Sequence, residues 1–473
     1  MTAILDSINA VLWGYLLVYG LVAVGIFFTL RLRLLQVLRF GEMLRTSLSA
    51  RGAGGDGITP FQALCTSLAS RVGTGNIAGV AVALVLGGPG AIFWMWIVAF
   101  LGMATAYGES ALAQLYKVKD TGGAENVYRG GPAYYIASGM KMRWLAVLFS
   151  LCLIFALGLV VNALQANSIA DAMEGAFGLP KAAAGVLVAV VTGLVIFGGI
   201  RKIAHVAEYI VPFMAGLYFL VTVAILILNI AEIPGVLAEI VRSALGLDEA
   251  IGGVTGGVMA AMLNGVKRGL FSNEAGMGSA PNIAAAATPV PHHPASQGLV
   301  QAFAVFIDTI VICTCTAVFI LLSSAYVPGG EVTATQLTQI ALAEHIGSAG
   351  PVFIAVAIFF FAFTTIIGCY AYAEMAMAYL GWATKRGLFV LRCAVLAMVV
   401  WGALQSIQTV FNLADASIGV MAVINMVAML VLSPVIVRLT RDYFRQRDAG
   451  LEPRFIAKDH ADLGDGIDHD IWK

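Results

Sequence analysis

Long apolar runs separated by short polar segments set the frame of this chain. A helix that crosses a membrane needs about 20 predominantly apolar residues. Runs of that kind are read at Val11–Leu30, Phe61–Leu86, Ala91–Tyr116, Trp144–Ala172, Ala182–Ile200 and Tyr209–Ile230. They continue at Gly253–Ala287, Gly298–Ser324, Pro351–Leu380, Leu388–Leu404 and Val410–Val437. The pattern predicts an all-α, polytopic membrane protein with about 11 transmembrane helices. It divides the chain into an N-terminal accessory helix with a basic loop (1–58), a ten-helix core (59–440) and a polar tail (441–473).

The basic residues alternate with these runs. Arg31, Arg33, Arg39, Arg45 and Arg51 follow the first, and Lys117, Lys119, Arg129, Lys141 and Arg143 follow the third. Arg201 and Lys202 follow the fifth; Lys385, Arg386 and Arg392 follow the ninth; Arg438, Arg441, Arg445 and Arg447 follow the last. The other loops hold little beyond Lys181 and Arg242. Loops rich in Lys and Arg stay in the cytoplasm. The expectation is a multi-pass protein of the cell membrane with its N-terminus outside and its C-terminus in the cytoplasm.

Composition agrees with this class. Of 473 residues, 60% are hydrophobic and 11% charged, whereas soluble domains carry about 25% charged residues. The formal net charge of zero gives no electrostatic footprint for nucleic acid. No cleaved signal peptide is expected, because no charged region and small-residue cleavage site bracket the first run. Nothing points to an obligatory protein partner. The six cysteines, Cys65, Cys152, Cys313, Cys315, Cys369 and Cys393, lie in or near apolar runs and read as small core residues. Cys313 and Cys315 lack the second pair a metal site would need. His292, His293, His460 and His469 are expected to be solvated, and the tail to fray.

Two runs contain material that should not persist in a continuous helix. One carries TSLASRVGTGNIAG, with Gly73, Gly75 and Gly79; the other carries NGVKRGLFSNEAGMGSAPN, with Gly265, Gly269, Gly276 and Gly278. Each glycine weakens a helix by about 1 kcal/mol relative to alanine. Unwound backbone at membrane depth is tolerated only inside protein or along a cavity. If the first run is accessory, the two broken runs are the first and sixth of ten. Two groups of five enter the membrane from opposite sides, which is the layout of an inverted repeat with its site near the midplane.

Enzyme chemistry has no foothold. GTGNIAG spaces its glycines differently from the dinucleotide fingerprint and follows no strand. Neither H-E-x-x-H nor the serine elbow G-x-S-x-G occurs.

Several strings resemble the alanine or glycine:cation symporter family. They are SRVGTGNIAGVAVAL, GGPGAIFWMWIVAFLGMATAYGES, GGPAYYI, LQANSIAD, NGVKRGLFSNEAGMGSAPN and HHPASQGLVQAFAVFIDTIVICTCTA, spread over much of Phe61–Ala317. The resemblance implies a LeuT-type 5+5 inverted repeat and sodium-coupled uptake of small neutral amino acids, chiefly alanine or glycine. A proton-coupled or differently selective carrier on the same scaffold is the alternative.

A zwitterionic solute must have both charges satisfied in a low-dielectric site. Thr74, Gly75 and Asn76, where a half-helix N-terminus should present free N–H groups, are assigned to the carboxylate. Phe271 and Ser272 of the second break, with Asn162 and Gln165 one helical turn apart in the fourth run, complete the expected substrate site. The carbonyls around Ala69 to Val72 suit the co-transported sodium, with a hydroxyl from Thr364 or Thr365, or could instead serve the ammonium group. Arg71, Glu109, Lys267, Arg268, Glu274 and Asp308 also lie at membrane depth and should pair with one another or face water. Arg71 and Arg268 are read as ion-pair or gate residues.

Overall fold

The computed structural model describes residues 2–49, 57–120, 128–247, 254–327, 334–463 and 466–473. Arg51 and the predicted start of the seventh run at Gly253 lie outside the described residues. Most described residues are helical; the strands among them are two residues each, Val118–Lys119 paired antiparallel with Tyr128–Arg129.

Spans follow the apolar runs closely. Helix α1 is Ser7–Arg31, and α2 (Pro60–Arg71) and α3 (Gly75–Gly87) form a pair bent by 53°. Next come α4 (Gly90–Leu115), α5 (Arg143–Phe177), α6 (Lys181–Ile196) and α7 (Gly199–Leu228). The second interrupted run becomes α8 (Val254–Asn273) and α9 (Pro281–Ala286). Helices α10 (Pro294–Leu321), α11 (Ala349–Tyr379), α12 (Lys385–Ala403) and α13 (Ile407–Val431) complete the bundle. Helix α14 (Ser433–Asp448) follows. Among the described residues, eight helices are long and apolar enough to cross a membrane, or nine if the bent pair counts as one span. Of the other two predicted runs, α6 has only 16 residues and α8–α9 is interrupted.

Burial separates inner from outer helices. The most apolar windows of α4 and α11 are each 72% buried, whereas those of α7 and α12 are 28% buried. Helix α4 packs against α8, α9 and α10, and α11 packs against α2, α5 and α7. The broken pairs therefore lie between two walls. Cys393 departs from the expected pattern: it sits on α12 and is exposed, while Cys65, Cys313, Cys315 and Cys369 are buried.

On the face that carries the basic loops, the two broken pairs are tied together. Ile58 N donates to Ala286 O (3.1 Å), and Thr288 N donates to Ile58 O (3.0 Å). Gly57 permits this approach. Its φ is +96°, and a Cβ there would stand 2.5 Å from Ala286 O. Helix α2 then starts on a capping box, in which Thr59 and Gln62 exchange two 3.1 Å bonds and satisfy orphan N–H groups.

The tail does not fray; it docks against this basic face. Phe455 and Trp472 are fully buried. Phe455 N donates to His292 O (3.0 Å), and Trp472 Nε1 donates to Leu115 O (3.3 Å). Lys117 donates to Ala287 O (2.9 Å), with its ammonium 4.0 Å from the Tyr128 ring and 5.0 Å from the Trp472 ring. His293, expected in water, is fully buried, with its Nε2 3.3 Å from Asp442. His460 also approaches Asp442, at 3.6 Å. Only His469 is exposed as expected. Two large aromatic side chains in a polar segment supply the reason, since burying one stabilises by about 1.5–3 kcal/mol.

Truncating the anchor tests this docking. Trp472→Ala should release the tail, so that trypsin cuts after Arg454 and Lys458 at least about tenfold faster than in the wild type, in line with the lost burial energy. Equal cleavage rates, followed by mass spectrometry of the fragments, would show that Trp472 does not hold it.

Candidate functional site

The first break separates Arg71 from Gly75, and several of the groups it frees meet specific partners. Asn76 folds back so that Gly73 N donates to its Oδ1 (2.9 Å). Thr74 N and Thr74 Oγ1 both donate to Gln165 Oε1 on α5, at 3.0 and 2.9 Å. On the other side of the break, Thr365 Oγ1 of α11 lies 2.9 Å from Ala69 O and 3.5 Å from Val72 O. It is also 3.0 Å from Phe361 O in its own helix. One hydroxyl proton cannot serve three carbonyl oxygens, so this corner holds surplus acceptors.

The second break is held by carboxylates. Gly276 and Gly278 adopt φ of +81° and +80°, a region open to glycine at no steric cost. Their N–H groups donate to Glu109 Oε1 and Oε2 at 3.3 and 3.2 Å. Asn425 of α13 donates to Glu109 Oε2 and to Gly276 O, each at 2.9 Å, and the Tyr135 hydroxyl bonds Asn425 Oδ1. Glu274 links the two breaks: it accepts from Ser70 Oγ (2.9 Å) and from Ser279 Oγ (2.5 Å).

Asp308 is the hub that sequence reasoning named without a role. It lies in a π-helical stretch of α10, Phe306–Cys313, and is fully buried. Its carboxylate accepts from Asn76 Nδ2, Ser272 Oγ and Thr309 Oγ1, each at 2.7 Å. An acid isolated in the apolar string VFIDTIVIC was the available signal. Four π-helical stretches occur among the described residues, and three border this region: Gly75–Gly79, Ile154–Val161 and Phe306–Cys313. Such stretches are frequent at functional sites.

A small internal cavity lies between the breaks. Its walls include Gly75, Gln165, Phe271, Glu274, Thr365 and Ile418. Its free volume is about 10 Å³, roughly one water, too small for an amino acid. Gly75 fits tightly, since a Cβ there would stand 3.2 Å from Phe271 and 3.3 Å from the Ser272 backbone. Above it, Phe271 packs on Phe411 with ring centroids 6.1 Å apart. Beyond that lid, Asp415 accepts from Lys267 (2.6 Å) and from Arg268 (3.3 Å), which pairs two of the charges expected at membrane depth. Arg71 Nη1 donates to Gln301 O (3.2 Å).

The predicted residues divide accordingly. Thr74, Gly75, Asn76, Gln165, Phe271, Ala69, Val72 and Thr365 converge on the breaks. Ser272 spends its hydroxyl on Asp308. Asn162 donates to Gly158 O in its own helix (2.8 Å) and does not line the cavity. Thr364 donates to Phe361 O, also in its own helix (2.9 Å).

Comparison with known proteins places this geometry. The model of the sodium:alanine symporter family matches residues 1–457. The chain is 47% identical, over 456 residues, to a probable sodium/glutamine symporter, GlnT, of Bacillus subtilis, covering 96% of this chain and 93% of the relative. It is 38% identical, over 450 residues, to the sodium/alanine symporter AgcS of Methanococcus maripaludis, covering 93% and 97% respectively. A sodium/proton-dependent alanine carrier protein of Bacillus sp. PS3 is 39% identical over 421 residues, covering 86% of this chain and 92% of the relative. With a matching family model over nearly its whole length and relatives aligned almost end to end, this multi-pass membrane protein belongs to the sodium:alanine symporter family, and it is an amino-acid:cation symporter rather than an enzyme.

Proposed function

We propose that the chain is a sodium-coupled symporter that brings small neutral amino acids, alanine or glycine, into the cell by alternating access. The proposed scaffold is a LeuT-type pair of five-helix repeats, with α1 as the extra helix and about eleven spans in all. The N-terminus is outside and the C-terminus cytoplasmic. The observation that carries the reading is the corner formed by Ala69 O, Val72 O and Thr365 Oγ1 at the first break. Three neutral oxygens with too few protons between them suit a hard monovalent cation. Ammonium could also use carbonyls, but it needs donor directions that a closed corner does not provide.

The substrate half follows from the other side of the same break. Thr74 N and Thr74 Oγ1 converge on a single oxygen of Gln165. A substrate carboxylate reaching the break shares or displaces that oxygen and meets the positive end of α3. Arg268 is held by Asp415; Arg71 lines the cavity with its Nε and Nη2 unpaired, and is open to a carboxylate there. The Phe271 wall favours a small side chain, and the cavity of about 10 Å³ must widen to admit any amino acid.

Proton coupling on the same scaffold is the second reading. The fully buried carboxyls of Glu109 and Asp308 are the observation that favours it, and two relatives' names include a proton. Uptake into liposomes under separately imposed sodium and proton gradients decides between them. Concentrative uptake driven by protons alone, with no sodium present, overturns the sodium reading.

Two mutational outcomes are expected. Thr365→Ala should raise the sodium concentration for half-maximal uptake, Thr365→Ser should do so less, and Thr364→Ala should leave it near the wild-type value. An unchanged sodium dependence in a well-expressed Thr365→Ala variant removes that hydroxyl from the cation site.

For the substrate, charge-assisted bonds contribute about 1.5–3 kcal/mol each, so alaninamide should bind roughly 10- to 150-fold more weakly than alanine in saturating sodium. Thr74→Ala should narrow that gap by weakening alanine alone, and Phe271→Ala should let bulkier neutral amino acids compete. Equal binding of alanine and alaninamide to the purified protein would place the carboxylate elsewhere.

A further inference from the structure

We propose that a cavity at the basic end of α1 is a binding site for the headgroup of an anionic phospholipid. The cavity has a volume of about 370 Å³ and lies between the end of α1, the short helix Leu35–Leu38 and α14. Five arginines line it: Arg31, Arg33, Arg39, Arg441 and Arg445. Asp448 is the one acid in the lining, and Arg39 already occupies it with two 2.7 Å bonds. Arg445 is held by Asp442 (2.5 Å). Arg31, Arg33 and Arg441 have no carboxylate partner among the described residues. The lining is therefore short of negative charge, and three guanidiniums are free to take phosphate oxygens in the bidentate geometry they favour.

The rest of the site argues for an amphiphile. Leu32, Leu35, Val437 and Phe444 form a buried apolar wall, and Phe444 lies beneath Arg39 with its ring centroid 4.4 Å from the guanidinium carbon. Next to the cavity, Leu30 and Leu38 are 68% and 69% exposed. Arg33 and Leu34 both take left-handed φ, +56° and +53°. This reverses the chain where the apolar span stops and keeps Arg33 beside Arg31. Cations above and exposed leucines below mark the membrane–water boundary, where basic pockets between spanning helices receive anionic headgroups. The leaflet is the one that faces the basic loops. A free phosphate would use the arginines but not the leucine lip.

The test is equilibrium binding to the purified full-length protein in detergent, with three probes: dioctanoyl-phosphatidylglycerol, dioctanoyl-phosphatidylcholine and glycerol phosphate. Phosphatidylglycerol should bind at least about tenfold more tightly than either of the others, and raising the salt from about 0.05 M to about 0.5 M should weaken it, because the arginines are exposed. The double variant Arg33→Gln/Arg441→Gln should lose roughly 30-fold in phosphatidylglycerol affinity. Arg33→Lys/Arg441→Lys should keep most of it. Glycerol phosphate binding as tightly as phosphatidylglycerol would make this a free-anion site and overturn the lipid assignment. So would equal binding of the two lipids, or an unchanged affinity in a normally melting glutamine variant. The three-probe comparison on the wild type decides the question even if the glutamine variant does not fold.

Discussion

Everything at the centre of this protein depends on one constraint: backbone that leaves the helix inside a membrane must find hydrogen-bond partners within the protein. The two broken pairs free N–H and C=O groups where no bulk water can reach them. Leaving such a group unpaired costs more than the net value of a made bond. The surrounding helices are therefore organised around caps. Glu109 takes the Gly276 and Gly278 amides, Gln165 takes Thr74, and Asn76 turns back onto Gly73. At the corner of Ala69 and Val72 the freed carbonyls outnumber the proton available from Thr365.

The same constraint explains why polar side chains that sequence reasoning would assign to a ligand are already occupied. Asn76 uses both ends of its amide, one for Gly73 and one for Asp308. Ser272 is similarly committed to Asp308. These residues shape the site by fixing the broken backbone. In the proposed site, recognition falls to groups with capacity left over, among them the Thr74–Gln165 pair, the Phe271 wall and Arg71, whose Nε and Nη2 are unpaired.

Much of this was legible in one dimension. Apolar run length gave eight or nine of the eleven expected spans among the described residues, and clustered glycines with Thr74, Asn76, Ser272 and Asn273 gave the breaks. Thr365 was one of two hydroxyls named for the carbonyl corner, and a choice between neighbours 100° apart on a helix requires knowing how α11 is rotated. Asn162 and Gln165 share a face by spacing, yet only Gln165 reaches the break, because Asn162 bonds its own backbone at Gly158. The role of Asp308 was hidden because its partners come from α3, α8 and its own helix. The tail misled for a different reason. Its average polarity is high, but Phe455 and Trp472 act individually, and no window average reports two aromatic anchors.

The chemistry of the caps also sets where a carrier of the proposed kind can yield. Toward α4 and α10 the broken pairs are held by carboxylates: Glu109 on two amides, and Asp308 on Asn76 and Ser272. Helix α2 adds two bonds to α10, from Ser67 to Gln301 Oε1 and from Arg71 to Gln301 O. Toward α5 and α11 the contacts are a neutral amide oxygen, Gln165, and a neutral hydroxyl, Thr365. More bonds tie the breaks to α4 and α10 than to α5 and α11, so in a carrier of the proposed kind the yielding seam is the one along α5 and α11. The carbonyl corner and the closed cavity both lie on that seam. A cation filling the corner adds an attraction where the native bonds are fewest, and a solute in the cavity must push the same surfaces apart. Coupling between the two then needs no long-range relay, because both ligands act on one seam only a few side chains wide.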